Sequence, residues 1–400
     1  MTARRGVRPE GPLARGAAWL SVRDALPTAL GAVLGHYATT GDLDLDAIAL
    51  KSAVETTTEG IVDDLFASIE ADLEAEFGEP VSFEYETKLT MPAELTLGDI
   101  YRRIRRRADS AVDPVTGEHR GPRARLPGPL GRPGDDPDED AVDDVERAEE
   151  LTALIVAALL DGDMRDARND EEYGDFVVDR DLTDEERRRV ARVAQERLRE
   201  IVEERFADFP PGVREAYDRA VDLSEAHQDQ DERFRELLAR ALDGDDAAPE
   251  AIRREYKFRD FADHHPFDES ELAVPYLKTQ YDRVGVIYDG MLDMYRAAGF
   301  EIGDAFEKAV VLAIVGAQVW LDDVDDYEAD VAEGQLTPVT AEYVLAEDDA
   351  AAYRTVCAVA EQYFDLAREY AAAADSPLTG IAIEYIVRSG DPSVLPGHPG

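Results

Sequence analysis

Cysteine is almost absent: Cys357 stands alone in 400 residues. One thiol excludes an intrachain disulfide and a cysteine-built metal cluster. Lysine is nearly as scarce. Lys51, Lys88, Lys257, Lys278 and Lys308 are the lysines among 43 basic residues, set against 89 acidic ones and a formal net charge of −46. No basic face stands out, and a field of this sign repels phosphate backbones, which argues against a nucleic-acid partner. No apolar run approaches the ~20 residues that span a bilayer, so no transmembrane segment is expected. The segment after Arg4-Arg5 is broken by Arg15, Arg23 and Asp24. It lacks the uninterrupted apolar core of a signal peptide, and the expected location is cytoplasmic. A Gly-rich phosphate loop, HExxH, GxSxG and short repeats are all missing.

Self-repulsion at this charge is costly in dilute salt and is screened within about 3 Å at molar ionic strength. The acidity reads as adaptation to a salt-rich cytoplasm, so most Asp and Glu residues say nothing about function.

Residues 1–15 read as a flexible, Arg-containing arm. A helical N-terminal region spans 16–112, with helices over Ala17–Tyr37, Leu45–Phe77 (interrupted near Gly60) and Leu97–Arg107. Val81, Phe83, Tyr85 and Thr87 alternate with polar residues, as in a short strand. The basic end Arg102-Arg103 and Arg105-Arg106-Arg107 reads as dipole complementation with salt pairing. Residues 113–140, rich in Pro, Gly and Asp, read as a disordered linker and the main boundary. A helical bundle is expected over 141–388 and a loose tail over 389–400. Its helices cover about Val145–Leu160, Thr183–Phe206 (Thr183 as N-cap), Val213–Leu242, Glu271–Ala298, Ala305–Leu321, Asp348–Ala374 and Leu378–Arg388. His227 falls on a polar helix face and reads as solvated, and His264-His265-Pro266 reads as a loop.

The chain is organised around Gly316–Asp330. Ala309-Val310-Val311-Leu312-Ala313-Ile314-Val315 is too apolar for a surface helix, and it runs into Asp322-Asp323-Val324-Asp325-Asp326. On a helix, Asp322 and Asp326 are i and i+4, Asp323 is three before Asp326, and Gln318 lies one turn earlier. Carboxylates crowded on one face repel unless a cation holds them, and hard oxygen ligands at that density suit Mg²⁺. The plain alternative is a solvated acidic helix end in a chain that is acidic throughout.

Gln318 to Thr337 resembles the second aspartate-rich motif of class I isoprenoid synthases, the group of trans-prenyltransferases, squalene and phytoene synthases and terpene synthases. There, an apolar helix with a Gln leads into DDxxD and then a Gly-containing loop, here Gly334-Gln335-Leu336-Thr337-Pro338. Asp326-Tyr327-Glu328-Ala329-Asp330 is similar to the D-Y-x-x-D of squalene and phytoene synthases. Lys278-Thr279, one long helix upstream, resembles the family's diphosphate-contacting pair. Leu159-Leu160-Asp161-Gly162-Asp163-Met164-Arg165-Asp166 lines up with the first motif, with Gly162 in place of the leading Asp. The arginine pair expected after it is Glu171-Glu172, leaving Arg165 and Arg168 as the nearby bases.

The resemblance implies an all-α, isoprenoid-synthase-like helical bundle with two acidic helix ends facing a central cavity. It implies Mg²⁺ held by Asp322, Asp323 and Asp326 on one side and Asp163, Asp166 and Asp161 on the other. Lys278, Thr279, Arg165 and Arg168 would contact the substrate diphosphate, with Lys278 and Gln318 as catalytic residues. The implied activity is ionisation of an allylic prenyl diphosphate, followed by condensation or cyclisation in a dry apolar pocket. Tyr281, Tyr288 and Trp320 are candidates for its wall, although aromatics at helical spacing are more often core. The resemblance leaves a homodimer open. Two other readings stand beside it. One is a non-catalytic prenyl-diphosphate-binding or regulatory homologue, motivated by Gly162 and the missing arginines. The other is a salt-adapted helical interaction protein.

Overall fold

The computed structural model describes residues 28–40, 45–85, 88–108, 112–117, 138–169, 173, 176–228, 230–261 and 265–399. The expected arm at 1–15, the first half of the Ala17–Tyr37 helix, residues 118–137 of the expected linker, Glu171-Glu172 and His264 lie outside the described residues.

The described chain is mostly helical. In order come α1 (Thr28–Thr40), α2 (Leu45–Phe77), β1 (Phe83–Tyr85), α3 (Met91–Arg107), α4 (Glu139–Asn169), β2 (Phe176–Val178), α5 (Asp184–Arg205), α6 (Pro211–Gln228), α7 (Asp231–Leu242) and α8 (Ala248–Ile252). A π-helical turn (Arg253–Lys257) leads to α9 (Leu277–Gln280), a second π-turn (Tyr281–Gly285) and α10 (Val286–Ala297). Then follow α11 (Asp304–Ala317), a third π-turn (Gln318–Asp322), a short helical turn (Asp323–Asp325), α12 (Tyr327–Glu333), α13 (Pro338–Leu345), α14 (Asp349–Ala373) and α15 (Pro377–Ser389). No helix among the described residues is long and apolar enough to cross a membrane.

Several boundaries differ from the sequence reading. Gly60 does not interrupt α2. Its missing side chain costs about 1 kcal/mol in a helix, and the buried stripe of Leu50, Val54, Leu65, Ile69 and Leu73 carries the helix across it. α4 continues through Asp161–Asp166, because Leu160, Asp161 and Met164 extend the buried face of Leu154 and Ala157. The expected acidic helix end is therefore the middle of a helix. The expected Val213–Leu242 helix breaks in two, where the Gln230 N–H donates to the His227 carbonyl at 2.8 Å. The expected Glu271–Ala298 helix starts late. Tyr276 is left-handed (φ 65°), a conformation that costs about 1–2 kcal/mol, and it is held by its hydroxyl donating to Glu342 at 2.6 Å.

The chain forms two compact units. One, here the strand-bearing unit, comprises Leu45–Ala216 and Asp293–Glu301. In it α2, α3, α4 and α5 pack around Leu97, Ile100, Tyr101, Leu151 and Leu154. Since α3 precedes the 113–140 stretch and α4 follows it, that stretch does not separate compact units. β1, expected from its alternation, pairs antiparallel with β2, with Phe83 opposite Val178 and Tyr85 opposite Phe176. β2 has no comparable alternation to announce it. Thr183 caps α5 as expected, in a reciprocal box with Glu186. The basic end of α3 is salt-paired as expected: Arg103 with Asp99 at 2.6 Å and Arg105 with Asp113 at 3.0 Å.

The other, the aspartate unit, comprises Tyr217–Leu292, Ile302–Gly400 and the described part of 1–44. α11 is its centre. Phe306 and Ala309 to Ala313 are buried, and α11 packs along α14. The tail expected to be loose is packed. Pro392–Val394 forms a 3₁₀ turn, and Leu395 (2% exposed) joins Val319, Val324, Val339 and Val356 in a cluster under the aspartates. The Tyr343 hydroxyl donates to the Pro396 carbonyl at 2.6 Å. Pro and Gly content set the expectation, but one leucine with a pocket to fill decides the outcome.

Candidate functional site

α11 is apolar to Ala317, and there its winding loosens into the π-turn Gln318–Asp322. Such turns recur at functional sites because they re-aim side chains that a regular helix would stack. Here the turn separates neighbouring acids. Asp322 keeps an exposed edge, while Asp323 is 1% exposed. Beyond it, the Asp326 N–H donates to the Asp322 carbonyl at 2.9 Å, and the Asp330 N–H to the Asp326 carbonyl at 2.8 Å. Asp322, Asp326 and Asp330 thus sit on successive turns. Gln318 donates its side-chain amide to Asp322 Oδ2.

Asp323 is turned the other way. Its Oδ1 accepts from Arg283 Nη1 at 3.0 Å, and its Oδ2 has no hydrogen-bond partner. Burial pushes the Asp323 carboxyl up to about 7, against the pull of Arg283 and with the push of Asp322 and Asp330. Asp330 rises to about 6, from burial first, opposed by a Thr337 hydrogen bond and Arg283, and reinforced by Asp326 and Asp322. Asp322 is also raised, by lost hydration first, with Arg283 opposing and Asp326 adding. Burial is the largest cause in all three, and the neighbouring carboxylates add to it around the Arg283 guanidinium.

Arg283 comes from the second π-turn, and Tyr256 from the first. Tyr256 is buried. Its phenol is raised by burial and feels Arg283, Asp323, Asp231 and Asp330. The three π-turns therefore bring Tyr256, Arg283 and the aspartates into one electrostatic neighbourhood. Burial opposes the Arg283 charge, but Asp323, Tyr256 and Asp322 more than offset it. Asp231, at the start of α7, is a further acid within reach of Arg283, its carboxyl raised by burial.

The Lys278-Thr279 pair belongs to the packing of this unit. Lys278 is 6% exposed, donates to Asp282 at 2.6 Å and lies 5.2 Å from the Phe261 ring centre. The Thr279 hydroxyl (1% exposed) donates to the Tyr276 and Tyr256 carbonyls at 3.1 and 3.3 Å. The cation that meets the aspartates is Arg283, which no motif marked. Its position depends on a π-turn that lengthens the register after Lys278. His227 is buried rather than solvated. Its pKa falls to about 4, from burial first and then from Arg283, Arg259 and Lys278. Trp320 donates to the Val387 carbonyl at 3.2 Å, and Tyr281 to Asp289, as core aromatics do.

The residues matched to the first motif lie in the strand-bearing unit. Asp161 is buried and accepts from Gln195 Nε2 at 2.8 Å, and burial raises its carboxyl. Asp163 and Asp166 are exposed, and Asp163 accepts from the Tyr85 hydroxyl. Arg168 donates to Gln195, and Arg165 exerts its charge on Asp161. The structure thus gathers Gln318, Asp322, Asp323 and Asp326 into one site, and places Asp161, Asp163, Asp166, Arg165 and Arg168 in another unit.

As the side chains stand, no three His, Cys, Asp or Glu among the described residues converge on a common metal position. The donor chemistry nevertheless fits a hard divalent cation. Asp322, Asp326 and Asp330 offer carboxylate oxygens on successive turns. Asp322 and Asp326 are exposed and can swing between rotamers, and Asp330 Oδ2 has no hydrogen-bond partner. Comparison of the chain with protein-family models, with curated proteins and with solved structures finds no match in any of the three.

Proposed function

We propose that the chain is an Mg²⁺-dependent enzyme of the class I isoprenoid type, which ionises an allylic prenyl diphosphate ahead of condensation or cyclisation. One observation carries the reading. An apolar, buried helix ends in a π-turn, after which Asp322, Asp326 and Asp330 fall on successive turns and a buried Asp323 pairs with a half-buried Arg283. Asp322, Asp326 and Asp330 would hold the metal. Bound Mg²⁺ supplies charge neutralisation for the leaving diphosphate.

The chain's own residues supply the rest. Gln318 fixes the Asp322 carboxylate by donating to it. Arg283 is held by Asp323, and Asp323, Tyr256 and Asp322 keep it charged against lost hydration, a preorganised donor for developing negative charge. Asp323 positions Arg283 rather than serving as a metal ligand. The buried Val310, Val311 and Leu312 make the helix that leads to the aspartates apolar, in keeping with chemistry that must exclude water.

A second reading is a prenyl-diphosphate-binding protein without turnover. It is favoured by the engagement of Asp323 with Arg283 and of Asp161 with Gln195, which occupies two motif carboxylates internally. Pyrophosphate release from C5 to C20 prenyl diphosphates with Mg²⁺ separates the two. The first predicts release that Asp322→Asn abolishes. The second predicts binding with no release.

A further inference from the structure

His227 carries an unmet hydrogen-bonding demand in the aspartate unit. It lies in the last turn of α6, is 6% exposed, and its Nδ1 has no partner. Leaving a buried polar atom unpaired costs about 1–3 kcal/mol. One side of the ring is occupied by Phe234, with ring centres 6.0 Å apart.

Three cations act on this imidazole: Arg283, Arg259 and Lys278. Two are answered by carboxylates, Arg283 by Asp323 at 3.0 Å and Lys278 by Asp282 at 2.6 Å. Arg259 is not. Among the described residues it makes no ion pair, and it donates to the neutral side-chain oxygen of Gln230. Gln230 belongs to the histidine's own turn, since its N–H donates to the His227 carbonyl at 2.8 Å. Arg259 therefore reaches the turn that carries His227 without an ion pair among the described residues. Asp231, which follows Gln230, lies within reach of Arg283 and Arg235.

We propose that His227, Arg259 and Arg283 form a binding site for a phosphate-class oxyanion. His227 gives one neutral N–H donor from Nδ1. Arg259 gives a planar fork that matches phosphate oxygens, and Arg283 gives the N–H groups left after its bond to Asp323. The proposal rests on the reading above only for its natural ligand, the diphosphate of a prenyl substrate. It assigns phosphate contact to residues that no motif marked, in place of Lys278 and Thr279.

The test is calorimetric titration with inorganic pyrophosphate and no divalent cation, at the lowest KCl concentration at which the chain is folded. Saturable binding is expected in the wild type. His227→Phe and Arg259→Gln should each weaken it at least tenfold. Arg259 is half-buried, so Arg259→Gln keeps the test open if His227→Phe fails to fold. Absence of binding in the wild type, or unchanged affinity in folded Arg259→Gln, overturns the proposal. Binding without turnover of any prenyl diphosphate keeps this site and removes the synthase reading. Turnover combined with unchanged affinity in Arg259→Gln does the reverse.

Discussion

At the scale of single residues, Arg283 and His227 matter most, and neither was marked by a sequence motif. Removing Arg283 would leave Asp323 buried with neither oxygen bonded. Breaking a fully buried pair costs about 3–5 kcal/mol. The Arg283 side chain is 37% exposed, so water recovers part of this, and Arg283→Ala should cost about 2 kcal/mol by urea unfolding near pH 8. Adding Asp323→Asn should restore some of it. An additive double variant would mean the pair is not coupled. His227 makes a pH prediction. Its folded pKa, about 4, lies below the ordinary 6.5. Over that window the unfolded chain holds a proton that the folded chain lacks, so stability falls as pH drops from 6.5 towards 4. The loss is on the order of 3 kcal/mol. His227→Phe should remove this term, leaving a shallower decline on the acid side. An unchanged slope would mean that the imidazole protonates freely in the folded chain.

At the scale of elements, the site depends on the three π-turns and on the tail beneath them. Leu395 fills the floor of the cluster that contains Val319 and Val324, which flank the aspartates in sequence. Leu395→Ala should therefore cost about 2–5 kcal/mol. It should also weaken any ligand binding at Asp322, whereas a loose tail would make the change silent. The elements also show how far the sequence could be read. The helices of apolar periodicity, the Thr183 cap, the Phe83–Tyr85 strand and the acid-bearing end of α11 were legible, because period and caps are local signals. The burial of Lys278, the packing of the tail and the course of α4 through Gly162 were not. Each depends on what a distant segment places against it. The π-turns were illegible for a related reason. One inserted residue shifts every later side chain, and no residue type announces it.

At the scale of the molecule, the charge of −46 sets the conditions under which any of this can be observed. Self-repulsion destabilises the folded chain in dilute buffer, and salt screens it. The melting temperature should climb steadily between 0.1 and about 3 M KCl, the range over which the Debye length falls below 10 Å. A flat response would mean that the surface acids are already neutralised by local pairing. The same field makes a phosphate-bearing ligand an unfavourable guest unless cations receive it. This is why Arg283, Arg259 and an Mg²⁺ ion belong to one account. The most direct measurement is pyrophosphate release from C5 to C20 prenyl diphosphates, singly and paired, in molar KCl with Mg²⁺, with products read by mass spectrometry. Release is expected in the wild type, to be lost in Asp322→Asn and in Asp330→Asn and to stop when Mg²⁺ is chelated. Folded wild-type protein that releases none from any substrate, or release that survives in both variants, would contradict it.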